Sequence, residues 1–242
     1  SAADQSRLTV KEQRKAGKTR IFYPEAKNAL LNRELGSELE GIVRCDWGEA
    51  PWLQRYCEPC RPQLKSAELR TQRDRTMAVA RLALDPNDDA HERMLMAIYC
   101  TFTGDATWPP RYGTHWEVVG FQGNDPATDL RGVGMLALLQ VLHFQKTQPK
   151  LLASIYRLSR GERDFPFMTV SITMTQLSLQ ALRSGALTRL ANRSEVKGGE
   201  HVYETVHAFH HACYLYMHTA WHQRRLACRA EVARRLLQWW WW

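Results

Sequence analysis

Nine histidines, six cysteines and 33 Lys or Arg residues are the side chains of this chain best able to hold a metal or an anion, and their spacing sorts them. His207, His211, His218 and His222 stand at offsets of 0, 4, 11 and 15, which puts them within about 60° of one another on a helix. Each i, i+4 pair suits a metal ion, but the two pairs lie about 10 Å apart along the axis, too far for one ion. No third ligand is evident beside either pair. The stripe reads as imidazoles that are hydrogen-bonded or solvated on an aromatic-flanked helix. Cys57-Glu-Pro-Cys60 has the spacing of half a zinc site, with Cys45 the nearest third sulfur. A structural zinc needs four ligands, and cysteines scattered over a long chain read as free thiols. Ala16-Gly17-Lys18-Thr19 has the ending of a phosphate-binding loop, but the first glycine of that pattern falls on Glu12 and no strand leads in. Gly132-Val-Gly134-Met-Leu-Ala137 is a loose GxGxxA without the strand context or downstream acid that dinucleotide binding demands. No nucleotide, metal or cofactor is expected.

The segment with specific content is Trp116-Glu-Val-Val-Gly120-Phe121-Gln122-Gly123-Asn-Asp125-Pro126-Ala-Thr128-Asp129-Leu130-Arg131-Gly132-Val-Gly134. Physically, it is a glycine-jointed loop running into a capped helix. Asp125-Pro126 ends the extended part, and Thr128 or Asp129 is placed to cap the new helix. Arg131 then falls in the first turn. Its side chain either projects in front of the domain or turns back to pair with Asp125 or Asp129. Gly132 and Gly134 are poor helix formers. They mark backbone that is approached closely, by a partner surface or by a neighbouring helix. The Gln122 amide reads chiefly as a fixer of its own loop.

This run resembles the ELMO (engulfment and cell motility) domain, in which a Trp is followed by GFQG, a DP-x-TD step, F-R-G-x-G and a leucine-rich helix ending in L-x-Y-F. Leu130 stands where the family has Phe, and His143 where it has Tyr. A second block, from Phe165-Pro-Phe through Ser171 and Gln176 to Leu179 and Arg183, then Asn192-Arg193, is similar to the family's FPF-x-x-VSINIT stretch and the helix after it. Ala90-His91-Glu92 with Leu95 resembles the upstream helix, and the similarity runs from about Leu64 to Arg225.

The resemblance implies a single all-α, multi-helix domain. With little chain after it, the expectation is the short, ELMO-domain-only branch, whose members activate GTP hydrolysis by Arf-like small GTPases. Arg131 matches the arginine associated with that activity. A guanidinium inserted in trans stabilises charge on the γ-phosphate and is worth roughly 10³–10⁵-fold in rate. Arginine suits the task because it stays charged and presents a planar fork of donors. Trp116, Gly120, Phe121, Gln122, Gly123, Asp125, Pro126, Thr128, Asp129, Gly132 and Gly134 form the matching loop-support and partner-contact set. The other reading is a catalytically silent helical subunit of a larger cytoskeletal or ciliary assembly, because a fold outlasts an activity. Leu130, the basic arm and the tryptophan tail favour it.

These residues need helices to position them. Residues 1–24 lack apolar periodicity and read as a flexible basic arm. Residues 25–238 read as the helical domain, and Trp239 to Trp242 as a Trp-rich tail. Ala29, Leu30, Leu35, Leu39 and Ile42 recur at helical spacing. Pro62–Leu84 predicts a longer helix buried through Leu64, Leu69, Met77, Ala80, Leu82 and Leu84. Asp85-Pro86-Asn87-Asp88-Asp89 stops it and caps the next, which carries Met94, Leu95, Ile98 and Phe102 toward Gly104. A loop from Gly104 to Pro126 precedes further helices at Thr128–Gln145, Lys150–Leu158, Phe165–Arg183 and Val202–Leu237, broken at Gly161 and Gly185.

The formal charge of +8 calls for an acidic partner. The Arg-rich stretches Arg61–Arg81 and Arg224–Arg235 read as solvated helix faces. Aromatic residues do not alternate with them as on a nucleic-acid stacking platform, so nucleic acid is disfavoured. No run approaches the roughly 18 apolar residues of a membrane span, and Ser1–Arg20 has no apolar secretory core. A cytoplasmic or organelle-surface protein is expected.

Overall fold

The computed structural model describes residues 19–40, 42, 63–161, 164–193 and 199–222. Among them there is no strand; the architecture is all-α. Chain entry into the core comes early: Ile21 is buried ahead of α1 (Tyr23–Leu31), which buries Ala26, Leu30 and Leu31. A single turn, α2 (Gly36–Leu39), follows. Leu35 is buried and Ile42 packs against the core, but Leu39, read at the same helical spacing, is exposed.

The Pro62–Leu84 expectation contracts to α3 (Ala67–Val79), capped by the Ser66 hydroxyl accepting from the Leu69 N–H at 3.1 Å. The arginines of the Arg61–Arg81 stretch are not merely solvated: Arg70, Arg75 and Arg81 donate to the main-chain carbonyls of Leu64, Leu31 and Glu40. The Asp-rich stop works as read. Asp88 caps α4 (Asp89–Thr103) by accepting from the Ala90 and His91 N–H groups, and Gly104 ends it at φ +73°.

The short helix α5 (Pro126–Asp129) and the long α6 (Gly134–Thr147) flank the corner described below. The α6 helix is apolar on nearly all sides and buries ten of its residues, as a helix at the centre of a bundle must. Around it pack α1, α3, α4, α7 (Pro149–Ser159), α8 (Phe167–Arg183) and α10 (His201–His222). The alternation at Thr169–Thr175 lies within α8, where Thr173 and Thr175 each donate to the carbonyl four residues back. A short helix α9 (Thr188–Arg193), not foreseen from periodicity, closes a smaller core of Leu182, Leu187, Ala191, Val202 and Val206. The Cys45/Cys57/Cys60 group, the Gly17-Lys18 pair, Arg224–Arg235 and the Trp239 to Trp242 tail lie outside the described residues. Among the described residues no helix is long and apolar enough to cross a membrane.

Candidate functional site

The stretch read as a loop from Gly104 to Pro126 contains a 3-10 helix at Thr114–Val119, which fixes its aromatic anchor. The Trp116 indole is 1% exposed, and its Nε1–H donates to the Arg111 carbonyl at 3.0 Å. It meets Tyr99 and Phe121 edge-to-face. Truncating such a buried indole costs about 3–5 kcal/mol. The loop closes on itself where the Gly113 N–H donates to the Asn124 carbonyl at 3.0 Å.

Gly120 fastens this loop to α8. Its φ is +95°, and a Cβ there would lie 2.2 Å from the Phe167 nitrogen. Its carbonyl accepts from both the N–H and the hydroxyl of Thr169, at 3.0 and 2.9 Å. The Phe-Pro-Phe block and the Gly-Phe-Gln-Gly block are thus one structural joint, 45 residues apart in sequence. Gly134 serves the same purpose at the other end. At φ +52°, a Cβ there would press to 2.6 Å on the Leu82 carbonyl, which instead accepts from the Met135 N–H at 3.0 Å.

Between these joints the corner is held by carboxylates. Asp125, rather than Thr128 or Asp129, is the cap: it accepts from the Ala127 N–H at 2.9 Å, with Pro126 at the first helical position. The Thr128 hydroxyl donates back to the Asp125 carbonyl at 2.8 Å. Asp125 also takes an ion pair from Arg111 at 2.6 Å. The Arg111 side chain is only 10% exposed and rests over the Tyr112 ring at 5.0 Å. Arg111 is the support that sequence reasoning missed. It sits outside any periodic segment, and nothing in its spacing marks it. Asp129 bends toward the loop, and its Oδ2 accepts from the Gln122 N–H at 2.6 Å. The main chain of Gln122 therefore ties the loop, while its side chain is exposed.

Arg131 is left over. It lies in a 3-10 turn, Leu130–Gly132, between α5 and α6, not in the first turn of the long helix. A 3-10 turn redirects the chain within three residues, so Leu130 is buried beneath the corner while Arg131 and Gly132 are exposed. Among the described residues Arg131 makes no ion pair or hydrogen bond; Asp125 and Asp129 are engaged elsewhere. The loop-pinning pair considered for Arg131 is made by Arg111.

Of the two readings of the histidine stripe, hydrogen-bonded or solvated, the structure shows the first. His207 and His211 are buried, not solvated, and both stack on His143 of α6, with centroids 4.1 and 5.0 Å away. His143 Nδ1 and His211 Nε2 share a hydrogen bond of 3.3 Å, and the Tyr23 hydroxyl meets His207 Nε2 at 3.2 Å. His218 instead bonds the Ser154 hydroxyl. Among the described residues no group of three or more His, Cys, Asp or Glu is arranged to hold a metal. Burial lowers the imidazoles between α6 and α10: His143 and His211 fall to about 4, with burial the first cause in both. His207 and His210 fall well below their ordinary value, again chiefly by burial.

The geometry defines an all-helical module that presents one unpaired guanidinium from a glycine-jointed corner. A family model described as the ELMO/CED-12 family matches residues 75–233, and the chain belongs to that family. Human ELMO domain-containing protein 3 is 40% identical over 161 residues, covering 65% of this chain and 41% of that protein. Mouse ELMO domain-containing protein 2 is 30% identical over 106 residues, 42% of this chain and 36% of that protein. ELMO domain-containing protein B of Dictyostelium discoideum is 30% identical over 102 residues, again 42% and 36%. The chain spans about two fifths of the length of these relatives. No solved structure matches it.

Proposed function

We propose that this domain docks on an Arf-type small GTPase and stimulates GTP hydrolysis by supplying Arg131 in trans to the phosphates. The observation that carries this reading is the unspent charge of Arg131. It sits exposed on a braced corner whose two nearby carboxylates already have other partners. A rigid support leaves only the side chain's own rotamers to be ordered on engaging a partner, and among the described residues the guanidinium has no ion pair or hydrogen bond to break first. Leu130, where the family pattern has Phe, is 1% exposed. The difference from the family pattern therefore lies beneath the corner and not on the exposed face that carries Arg131.

The test is single-turnover GTP hydrolysis by a panel of Arf and Arf-like GTPases, with wild type, Arg131→Ala and Arg131→Lys. Arg131→Ala is expected to lose roughly 10³-fold or more of the stimulation, with its melting temperature unchanged because the side chain is exposed and makes no ion pair or hydrogen bond among the described residues. Arg131→Lys keeps the charge but not the fork of donors, and is expected to recover little. Stimulation that survives in Arg131→Ala refutes the assignment. A wild type that binds but stimulates no member of the panel leaves a helical scaffold.

A further inference from the structure

Two of the corner's glycines have an evident internal reason, Gly120 and Gly134, and two do not. Gly123 and Gly132 have ordinary φ values. A Cβ on Gly123 would meet nothing within 4 Å. One on Gly132 would touch only Gln176 Nε2, at 3.3 Å, the far end of a flexible side chain. Gly132 is exposed, so neither strain nor packing within the chain demands a glycine there. Gln176, from the middle of α8, is exposed as well, and its amide lies over the main chain beside Arg131. The α8 helix carries no acidic residue. A neutral amide thus lies over the bare backbone next to Arg131, and the nearby carboxylates of Asp125 and Asp129 are engaged by Arg111 and the Gln122 N–H.

Resting on the reading above, we infer that Gln176 is a second partner-contacting residue, its carboxamide hydrogen-bonding the main chain of the GTPase segment that seats over Gly132 while Arg131 reaches the phosphates. A carboxamide offers both N–H donors and a carbonyl acceptor, as a peptide group does, and suits an uncharged main chain. A glycine beneath allows that chain to approach without a side chain holding it off. The positive charge and the neutral platform together complement a partner that brings a phosphate next to extended backbone. Gln176 contributes to docking, and Arg131 to the chemistry.

The experiment titrates the 242-residue chain, as wild type and variants, against the GTPase panel. It reads both the half-saturating concentration and the maximal stimulated rate, and measures in parallel the binding of the same GTPases carrying a non-hydrolysable GTP analogue. Gln176→Ala is expected to raise the half-saturating concentration roughly three- to tenfold, the size of one neutral hydrogen bond, with the maximal rate and melting temperature unchanged. Gln176→Glu places a carboxylate near Arg131 and is expected to lower the maximal rate too. Gly132→Ala is expected to weaken docking in both the wild-type and the Gln176→Ala background, because the added methyl meets the partner. A Gly132→Ala effect that vanishes in the Gln176→Ala background means that the methyl acts by displacing Gln176, and overturns the seating role of Gly132. An unchanged half-saturation in Gln176→Ala overturns the Gln176 contact while Arg131 stands. Binding weakened by Gln176→Ala without stimulated hydrolysis upholds the contact and overturns the activating role. A wild type that binds none of the panel overturns both.

Discussion

Acidification from pH 7 to pH 5 is expected to destabilise the domain through the imidazoles stacked between α6 and α10. His143, His207 and His211 lie face to face, with His210 buried beside them. The cations nearest the stack, Lys27 of α1 and Lys146 of α6, oppose a further positive charge. Glu204 lies on α10 itself, and Tyr23, which faces His143 and His207, stays neutral because burial raises its pKa. In the unfolded chain each imidazole charges near its ordinary 6.5; in the fold His143 and His211 resist until about 4. The stabilisation is complete above pH 6.5, is lost as pH falls toward 4, and levels off below, because the unfolded chain binds more protons in that window.

For a fully coupled group with these two pKa values the loss at pH 5 is about 2 kcal/mol. His211 is assigned that amount. His143 is partly exposed and is discounted for solvent screening to about 1 kcal/mol. His207 and His210 act in the same direction. A loss of about 3 kcal/mol or more lowers the melting temperature by roughly 6–12 °C for a domain of this size. Asp88, which burial alone would raise, is held below its usual value by bonds from Arg33 and His91, so its protonation comes at lower pH. Differential scanning calorimetry at pH 7, 6 and 5 measures the effect. His143→Phe keeps a stacking ring and should remove about a third of the drop. A melting temperature constant within 2 °C over this range, or an unaltered slope in His143→Phe, refutes the reasoning.

Gly120→Ala combines a positive φ with a Cβ 2.2 Å from the Phe167 nitrogen; it is expected to cost about 3 kcal/mol or more, read as a melting temperature lower by at least roughly 6 °C. Asp129→Ala frees the Gln122 N–H bound at 2.6 Å. The expected loss is about 1–2 kcal/mol, with faster hydrogen exchange at Gln122 as the direct readout; unchanged exchange there removes Asp129 from the corner's support.

Elements with local punctuation were legible from residue order. Asp88 with Gly104 bounds α4, because a cap carboxylate and a left-handed glycine act within a few residues. Where partners come from distant chain, local logic failed. Asp125, Thr128 and Asp129 are all competent caps by type. Asp129 was drawn off by the Gln122 N–H, and Asp125 was anchored by Arg111, fourteen positions upstream. The stripe at His207 and His211 was correctly read as one helical face, but periodicity does not say what lies opposite; His143 does, from another helix.

By itself the sequence determined the all-α class, the family pattern and the single arginine at issue, since apolar spacing and side-chain chemistry are properties of the order of residues. Tertiary structure alone decided that this arginine is exposed and unpaired among the described residues, that Gly120 and Gly134 are joints while Gly132 is open, and that Gln176 lies beside it. Each of those facts depends on which of several chemically equivalent partners the packing brings within hydrogen-bonding range, and no local pattern contains that choice.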